Sequence, residues 1–564
     1  MEKRIVECVP NFSEGRDMNV IKQITDVIEG VEGIKLLDVD PGKATNRTVV
    51  TFVGEIDAVV EAAFRCVLKA ADVIDMRKHH GEHPRMGATD VLPLIPVSGI
   101  TMEETAEYAR QLAKRIALEG GIPTYCYEYA AIHPERKKLA ACREGEYEGL
   151  KPRFGNPDKM PDFGGEVWTK RAAQTGCTAV GARDFLIAVN FNLNTTSTRR
   201  ANAIAFDVRE RGRVKREGDS PAGKIMKDEH GEDIFIPGTL KSTAAIGWFI
   251  EEYGIAQVSM NITNISVTPL HVAFEEVVAK AAARGVRVTG TEIVGLVPKS
   301  TLIDAGKYFL RKQQRSVGIS EKEIMKIAIK SMGLDDLKPF DAKDKVIEYM
   351  MEDDSEDKLV DMSVSDFAYE TASESAAPGG GSISAYMGAL GAALGAMVAN
   401  LSSHKAGWDA RWEEFSNYAE RGQSLLNELL FLVDEDTRSF NKVMDAFGLP
   451  KNTEEEKSAR SKAIQEATFY ATQIPFRVMK ASLAVFDIVE QMAKEGNPNS
   501  VSDAGVGALA ARSAVLGAWL NVRINAAGIK NRDLVEPILL ESAAMAKLAQ
   551  EREEVILEIV NSKI

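Results

Sequence analysis

Three of the chain's seven histidines, His79, His80 and His83, fall within five residues of one another in the stretch 78–90, KHHGEHPRMGATD, beside Glu82, Arg85 and Asp90. Histidine is the side chain whose proton moves near neutral pH, so the cluster suits general acid and base work. Arg85 can hold a carboxylate with two parallel hydrogen bonds. Pro84 disfavours helical geometry at His83, and Gly81 and Gly87 mark the segment as a structured loop. A metal site is one competing reading, but HHxxH lacks the i, i+4 spacing of a helical zinc motif and no CxxC completes a set. A solvated turn without chemistry is the other.

Two carboxylates elsewhere are candidates for the same kind of work. IKLLDVDPG reads as a strand ending in Asp40, with Pro41 and Gly42 turning the chain. A carboxylate at that end of a strand lies where ligands bind in α/β sheets, and a catalytic histidine needs one to fix its tautomer. The plainer reading is a turn-initiating Asp bonded to its own backbone. In the helical pattern LLNELLFLVDEDTRSFNKVMDAF an apolar stripe runs through Leu429, Val433, Phe440, Val443 or Met444, and Phe447. Asp436 occupies the missing step, while Asp434 and Glu435 should point away. A carboxylate facing a core is costly unless paired or used, which makes Asp436 a candidate catalytic group. Upstream, SAAPGGGS places Gly379, Gly380, Gly381 and Ser382 at the start of an uncharged helix, where backbone amides can seat an anion or a polar heterocycle. It is not a P-loop, since GxxxxGK[ST] is missing. Ser502 and Asp503 read as a cap and a first-turn acid of another helix.

Rigid elements must position these groups. The first third alternates strand-like runs (RIVECVPNF, IKLLDVD, RTVVTFVG, VLPLIPV, PTYCYEYA) with helical patterns over 18–28, 56–71 and 102–119. A second round follows the Gly-rich stretch 163–181: FLIAVNFNLN, GWFIEEYGIAQVSMNI and VRVTGTEIVGLV alternate with helices over 197–209 and 271–284. Such alternation predicts sheets covered by helices. We therefore expect two α/β subdomains, 1–181 and 182–330, with 213–239 as an inserted loop or hairpin. Across a linker, 331–365, that is acidic over 351–361, strand signals vanish. Helical patterns then run through 409–447, 453–472, 476–494, 503–526 and 533–560, with a capping box at Thr453 and Glu456. An all-α antiparallel bundle is expected over 366–564.

At 564 residues the chain should form about three to four compact units. A net charge of -14 and a pI near 5.3 argue against nucleic-acid binding, so anionic ligands must be held by local Arg and Lys. The five cysteines have no paired spacing, and MEKRIVECVPNF contains no apolar signal segment; a reducing cytoplasm is expected. No Asp, Glu, Lys or Arg occurs over 375–404, but this Gly, Ala and Ser-rich stretch lacks basic flanks and an aromatic belt. It reads as a helix buried in the bundle, with no membrane partner.

At this point a resemblance adds to the reading. VECVPNFSEG, LLDVDPG, NRTVVTFVG, GEHPRMGATDVLPLIPV, PDFGG and AVGAR resemble the formimidoyltransferase family. SAAPGGGS, LVDEDTRSF, LPKNTEEEK and the GN and SD pairs between Gly496 and Asp503 resemble the cyclodeaminase family that accompanies it in bifunctional members. The motifs recur in that order across nearly the whole chain, departing in a longer 213–239 insertion and a longer acidic linker.

The resemblance implies a transferase and lyase of histidine breakdown and one-carbon metabolism, in two steps. The first moves the formimino group of N-formimino-L-glutamate to N5 of tetrahydrofolate, with His83 as base and Asp40 orienting it. The second closes 5-formimino-tetrahydrofolate to 5,10-methenyl-tetrahydrofolate with loss of ammonia, with Asp436 shuttling the proton. Arg47, Arg85 and Arg183 are then candidates for the substrate carboxylates. Glu82, Gly164, Gly165 and Gly176, the last three in a folate-binding segment over 163–176, are candidates for binding in the first step, and Gly379, Gly380, Gly381, Ser382 and Asp503 in the second. The resemblance also implies a homo-oligomer that uses tetrahydrofolate as co-substrate, with or without a polyglutamate tail, and no metal. Two alternatives stay open: a bundle with cyclohydrolase-like chemistry, and a bundle that serves assembly alone.

Overall fold

The computed structural model describes residues 4–43, 46–80, 84–219, 223–351, 358–375 and 377–564. The candidate residues Glu82 and His83 lie outside the described residues. Two compact units emerge, Met1–Leu302 with Met332–Glu352, and Ile303–Ser331 with Asp353–Ile564. Residues 303–331 thus group with the second unit and 332–352 with the first, which does not follow the expected break at 330. The reason for the latter is apolar packing: Ile347 is fully buried against Ile5, Val53, Ile95 and Phe185 of the first unit.

The first unit holds two sheets. Strands β1 (Ile5–Cys8) and β2 (Asn11–Phe12) both pair with β4 (Arg47–Glu55) on one side and β5 (Thr89–Ser98) on the other, so they are two halves of one strand. Adding β3 (Ile34–Gly42), β6 (Thr124–Glu128) and β7 (Thr178–Ala182) gives the order β3-β4-β1/β2-β5-β7-β6, antiparallel up to β5 and parallel beyond it. β5 is central, which explains its nearly unbroken apolar run. Helices α1 (Met18–Glu29), α2 (Ile56–Val73) and α3 (Met102–Gly120) cover one face through a shared core of Ile24, Val59, Val67, Leu112 and Ile116 on Val6, Phe52 and Leu92. Short helices α4 (Leu139–Cys142) and α5 (Lys170–Thr175) lie among the following loops.

The second sheet repeats the theme with β8 (Ile187–Leu193), α6 (Thr198–Val208), β11 (Thr243–Ile250), β12 (Ile255–Ile262), α7 (Leu270–Ala282) and β13 (Val288–Val294), ordered β11-β12-β8-β13 and antiparallel throughout. The same βαββαβ order underlies β1 to β5 of the first sheet. Within the insertion β9 (Arg213–Val214) pairs antiparallel with β10 (Phe235–Ile236).

The chain goes on through α8 (Lys299–Lys312), α9 (Glu321–Met332), α10 (Ile347–Met351) and α11 (Val364–Thr371). The rest is helical: α12 (Gly380–Ser403), α13 (Trp412–Gly448), α14 (Glu454–Glu495), α15 (Val501–Ala527) and α16 (Arg532–Asn561). Gly and Ala along α12 allow very close approach: a Cβ at Gly388 would lie 2.4 Å from Oγ of Ser482. Helices α12 and α15 are long and apolar enough to cross a membrane, and each buries an Ala-rich face in the bundle core. The expected break between 472 and 476 is absent, because α14 continues through Pro475. Proline removes an N–H and frees the carbonyl four residues back; Asn525 donates to that carbonyl, on Ala471, at 2.7 Å.

Candidate active sites

In the first unit the histidine loop is held on both sides. Asn46, in the left-handed region with φ 50°, donates its side-chain amide to the His80 carbonyl at 3.0 Å and accepts the Gly15 N–H at 3.1 Å. Its own carbonyl lies 2.9 Å from Nε2 of His79, so that nitrogen carries the proton. Burial holds the His79 imidazole below its ordinary pKa. On the far side, Glu148 grips Arg85 with two bonds of 2.8 Å and Glu146 adds one of 3.1 Å. The Met86 N–H donates to Asp90 at 2.9 Å, and Asp90 also receives Arg47 at 2.6 Å and Arg143. The chain is therefore fixed at His80 and again at Arg85.

Gly176 braces the same limb. Its φ is 66°, and a Cβ there would fall 2.0 Å from the Met86 carbonyl, so no other residue lets 163–176 come this close. Gly165 packs on Pro161, where a Cβ would lie 2.7 Å from the ring, and Gly164 takes φ 72°. These glycines follow Phe163, which exchanges backbone hydrogen bonds of 3.0 and 3.2 Å with Thr124.

Arg183 lines a cleft of about 470 Å³ with Glu128, Tyr129, Lys137, Asp184 and Asn264. Glu128 (φ 52°) and another lining residue, Ser242 (φ 49°), both adopt left-handed backbone, a strained conformation of the sort held in place at functional clefts. Burial raises the Glu128 and Asp184 carboxyls. Glu7 on β1 is buried too, and desolvation lifts its carboxyl to about 7 although Arg183 pulls it down.

In the second unit Asp436 sits against the start of α12. Ser382 approaches it with its hydroxyl, 3.2 Å from Oδ2, and with its backbone N–H. A Cβ on Gly381 would lie 2.1 Å from Oδ1 of Asp436, and one on Gly380 would lie 3.5 Å from Nδ2 of Asn521. The N-cap, Gly379, offers no side-chain cap, so the amide end of the helix faces this carboxylate. Burial raises the Asp436 carboxyl above the ordinary aspartate value while the two Ser382 bonds lower it. A partly buried carboxyl with one hydroxyl partner at a helix N-terminus can hold and release a proton beside a polar ligand.

The chain matches three family models: "Formiminotransferase domain, N-terminal subdomain" over 5–183, "Formiminotransferase domain" over 188–352 and "Formiminotransferase-cyclodeaminase" over 363–544. The formimidoyltransferase-cyclodeaminase of Rattus norvegicus is 39% identical over 97% of this chain and 98% of its own. The chain belongs to the formimidoyltransferase-cyclodeaminase family. Two further relatives each match one part of it. A glutamate formimidoyltransferase of Streptococcus pyogenes is 41% identical over 55% of this chain and 94% of its own. A methenyltetrahydrofolate cyclohydrolase of Methylorubrum extorquens is 38% identical over 34% and 93%.

Against this family background several sequence expectations need correction. Arg85 is bound by Glu146 and Glu148 and braces the loop instead of offering its fork to a ligand. β3 does not end at Asp40: Pro41 and Gly42 still pair with Thr48 and Arg47, which an edge strand permits because proline's missing N–H faces away from the ladder. Asp434 and Glu435 do not point to solvent. The former accepts the Leu359 N–H at 2.7 Å, and the latter binds Tyr470 and Arg438. The stripe beyond Asp436 is not core, since Phe440, Met444 and Phe447 are 40 to 52% exposed. α13 has neighbours on several sides near 434–436 and few beyond Ser439. Ser500, not Ser502, precedes α15, and Asp503 lies in its first turn. Asp503 is therefore roughly 27 Å along the helix from Asn521 and does not join Asp436 within one chain. Asn521 and Arg143 were missed; Asn521 stood out only as a polar residue in an apolar helix.

Proposed function

We propose that the chain performs two successive steps, formimino transfer from N-formimino-L-glutamate to tetrahydrofolate and ring closure to 5,10-methenyl-tetrahydrofolate with release of ammonia. The reading is supported above all by the Asp436 site, a partly buried carboxyl packed against the glycine-rich start of α12, with the hydroxyl and backbone N–H of Ser382 as its partners. A separate charged site in the first unit supports the transfer step.

In the first step N5 of tetrahydrofolate attacks the amidine carbon. His83 takes the N5 proton and delivers it to the glutamate nitrogen, which leaves as glutamate, with Asp40 orienting the imidazole. Arg183 and its cleft hold a carboxylate, and the glycines 164, 165 and 176 shape the folate segment. In the second step N10 attacks the formimino carbon, Asp436 accepts the N10 proton and passes it to the departing nitrogen, and ammonia leaves. Residues 379–382 seat the pterin. The transferase subdomains start at residues 1 and 182, with 332–352 packed into that half; the cyclodeaminase bundle covers 366–564, and the chain works as a homo-oligomer in the cytoplasm.

The test is incubation with N-formimino-L-glutamate and tetrahydrofolate while the methenyl chromophore and ammonia are followed together. Equal, linked appearance of both is expected. Transfer with no ring closure would leave the bundle an assembly module.

A further inference from the structure

Arg143 is a mostly buried arginine with little hydrogen bonding of its own. It follows α4, its side chain is 16% exposed, and it donates to Asp90 from Nη2, while its Nε is buried without any partner. A guanidinium presents five N–H donors, and buried donors left without acceptors are uncommon because each forfeits its hydration. Asp90, fully buried, is already occupied by Arg47 at 2.6 Å and by the Met86 N–H at 2.9 Å. Two guanidiniums, their side chains 13 and 16% exposed, share the one carboxylate of Asp90. The nearby acids are matched elsewhere: Glu146 and Glu148 hold Arg85, and Glu144 faces Arg153 at 3.8 Å. Among the described residues Arg143 has no second acidic partner.

Its surroundings suit a substrate. Asp90 binds the backbone at Met86 and also holds Arg143, so Arg143 stands beside the segment that begins at Arg85. The geometry points to Arg143 as the residue that receives a substrate's glutamate carboxylate, with Asp90 fixing the guanidinium so that its remaining donors face the ligand. This assignment rests on the transferase reading above. The carboxylate belongs either to the formimino-glutamate donor or to the glutamyl tail of tetrahydrofolate.

Steady-state transfer by the full chain separates the two sources. In R143Q the KM of one glutamate-bearing substrate should rise about 10-fold or more, with kcat changed far less. R143K, which keeps the charge but not the fork, should fall between. A rise for the donor alone assigns the donor. A rise for tetrahydrofolate that disappears with tetrahydropteroate, which lacks the glutamyl group, assigns the folate tail. Calorimetric binding of free L-glutamate needs no turnover and should weaken by a similar factor if the donor is the ligand. Folding is checked by thermal unfolding, and if R143Q does not fold, R143K carries the test. Unchanged KM values for both substrates in a folded variant, or a loss confined to kcat, would overturn the assignment. A wild-type enzyme that transfers no formimino group would overturn the proposed function, and unaltered glutamate binding and tetrahydrofolate binding by R143Q would then overturn this one separately.

Discussion

Gly381 and Asp436 meet so closely that a Cβ at 381 would lie 2.1 Å from the carboxylate. Alanine at 381 must therefore push α12 away from α13 or turn Asp436 out of place. We expect Gly381→Ala to lower ring closure about 100-fold, the ordinary worth of a positioned acid-base group, and to destabilise the second unit by about 1–3 kcal/mol. Transfer should continue. Ammonia release and urea unfolding read the two effects, and a folded variant that closes the ring at the wild-type rate would refute the geometry.

Asp436→Asn keeps the shape and much of the hydrogen bonding but removes the titrating proton. Supplied with formiminoglutamate and tetrahydrofolate, the variant should accumulate 5-formimino-tetrahydrofolate. Because burial already disfavours the charged form of Asp436, stability at neutral pH should hold or rise. Rapid appearance of the methenyl product would move the search to Ser382 and Asn521.

His83→Ala should lower transfer by about 100-fold or more and leave ring closure of supplied 5-formimino-tetrahydrofolate intact. Near-normal transfer by the folded variant would end its assignment as the base.

Glu7 gives a pH dependence with a definite sign. Its carboxyl ionises near 4.5 in the unfolded chain and near 7 when folded, because burial disfavours the charge. Below pH 4.5 both states are protonated and the contribution to stability is complete. Between 4.5 and 7 only the unfolded state ionises, so stability falls, and above 7 the contribution is gone. Glu7→Gln removes this slope. Urea unfolding of the two proteins should coincide below pH 5 and differ by about 3 kcal/mol at pH 8, with the variant more stable. Parallel curves across that range would show that Glu7 is not held neutral.

Where the transferase half ends can be decided by truncation. Residues 346–347 close the first unit, through the pairing of Val297 with Val346 and the burial of Ile347. A fragment 1–352 should be more stable than 1–330 by about 2–5 kcal/mol, the usual loss for an emptied large apolar site. Equal urea midpoints would show that 331–352 contributes nothing.

The alternation of short apolar runs with amphipathic stretches, and the change to unbroken helical periodicity after 365, were enough to place sheets in the first part of the chain and helices in the last. Both are local signals that burial on one face imposes on sequence. The setting of Asp436 was only partly legible: Leu429 and Val433 of its stripe are buried, but Phe440, Met444 and Phe447 are exposed, and Asp434 and Glu435, read as pointing away, are buried. The bond partners were not legible. Arg85 and Arg143 have the same chemistry, yet Glu146 and Glu148 close on the first, while the second shares Asp90 with Arg47. Nor could local sequence carry α14 through Pro475, since the compensating donor, Asn525, comes from another helix. Nor could it separate Asp503 from Asp436, because helix length, not residue type, sets that distance. Residue type determines what a group is able to do; which acceptor reaches it first is fixed only when segments far apart in sequence are packed together.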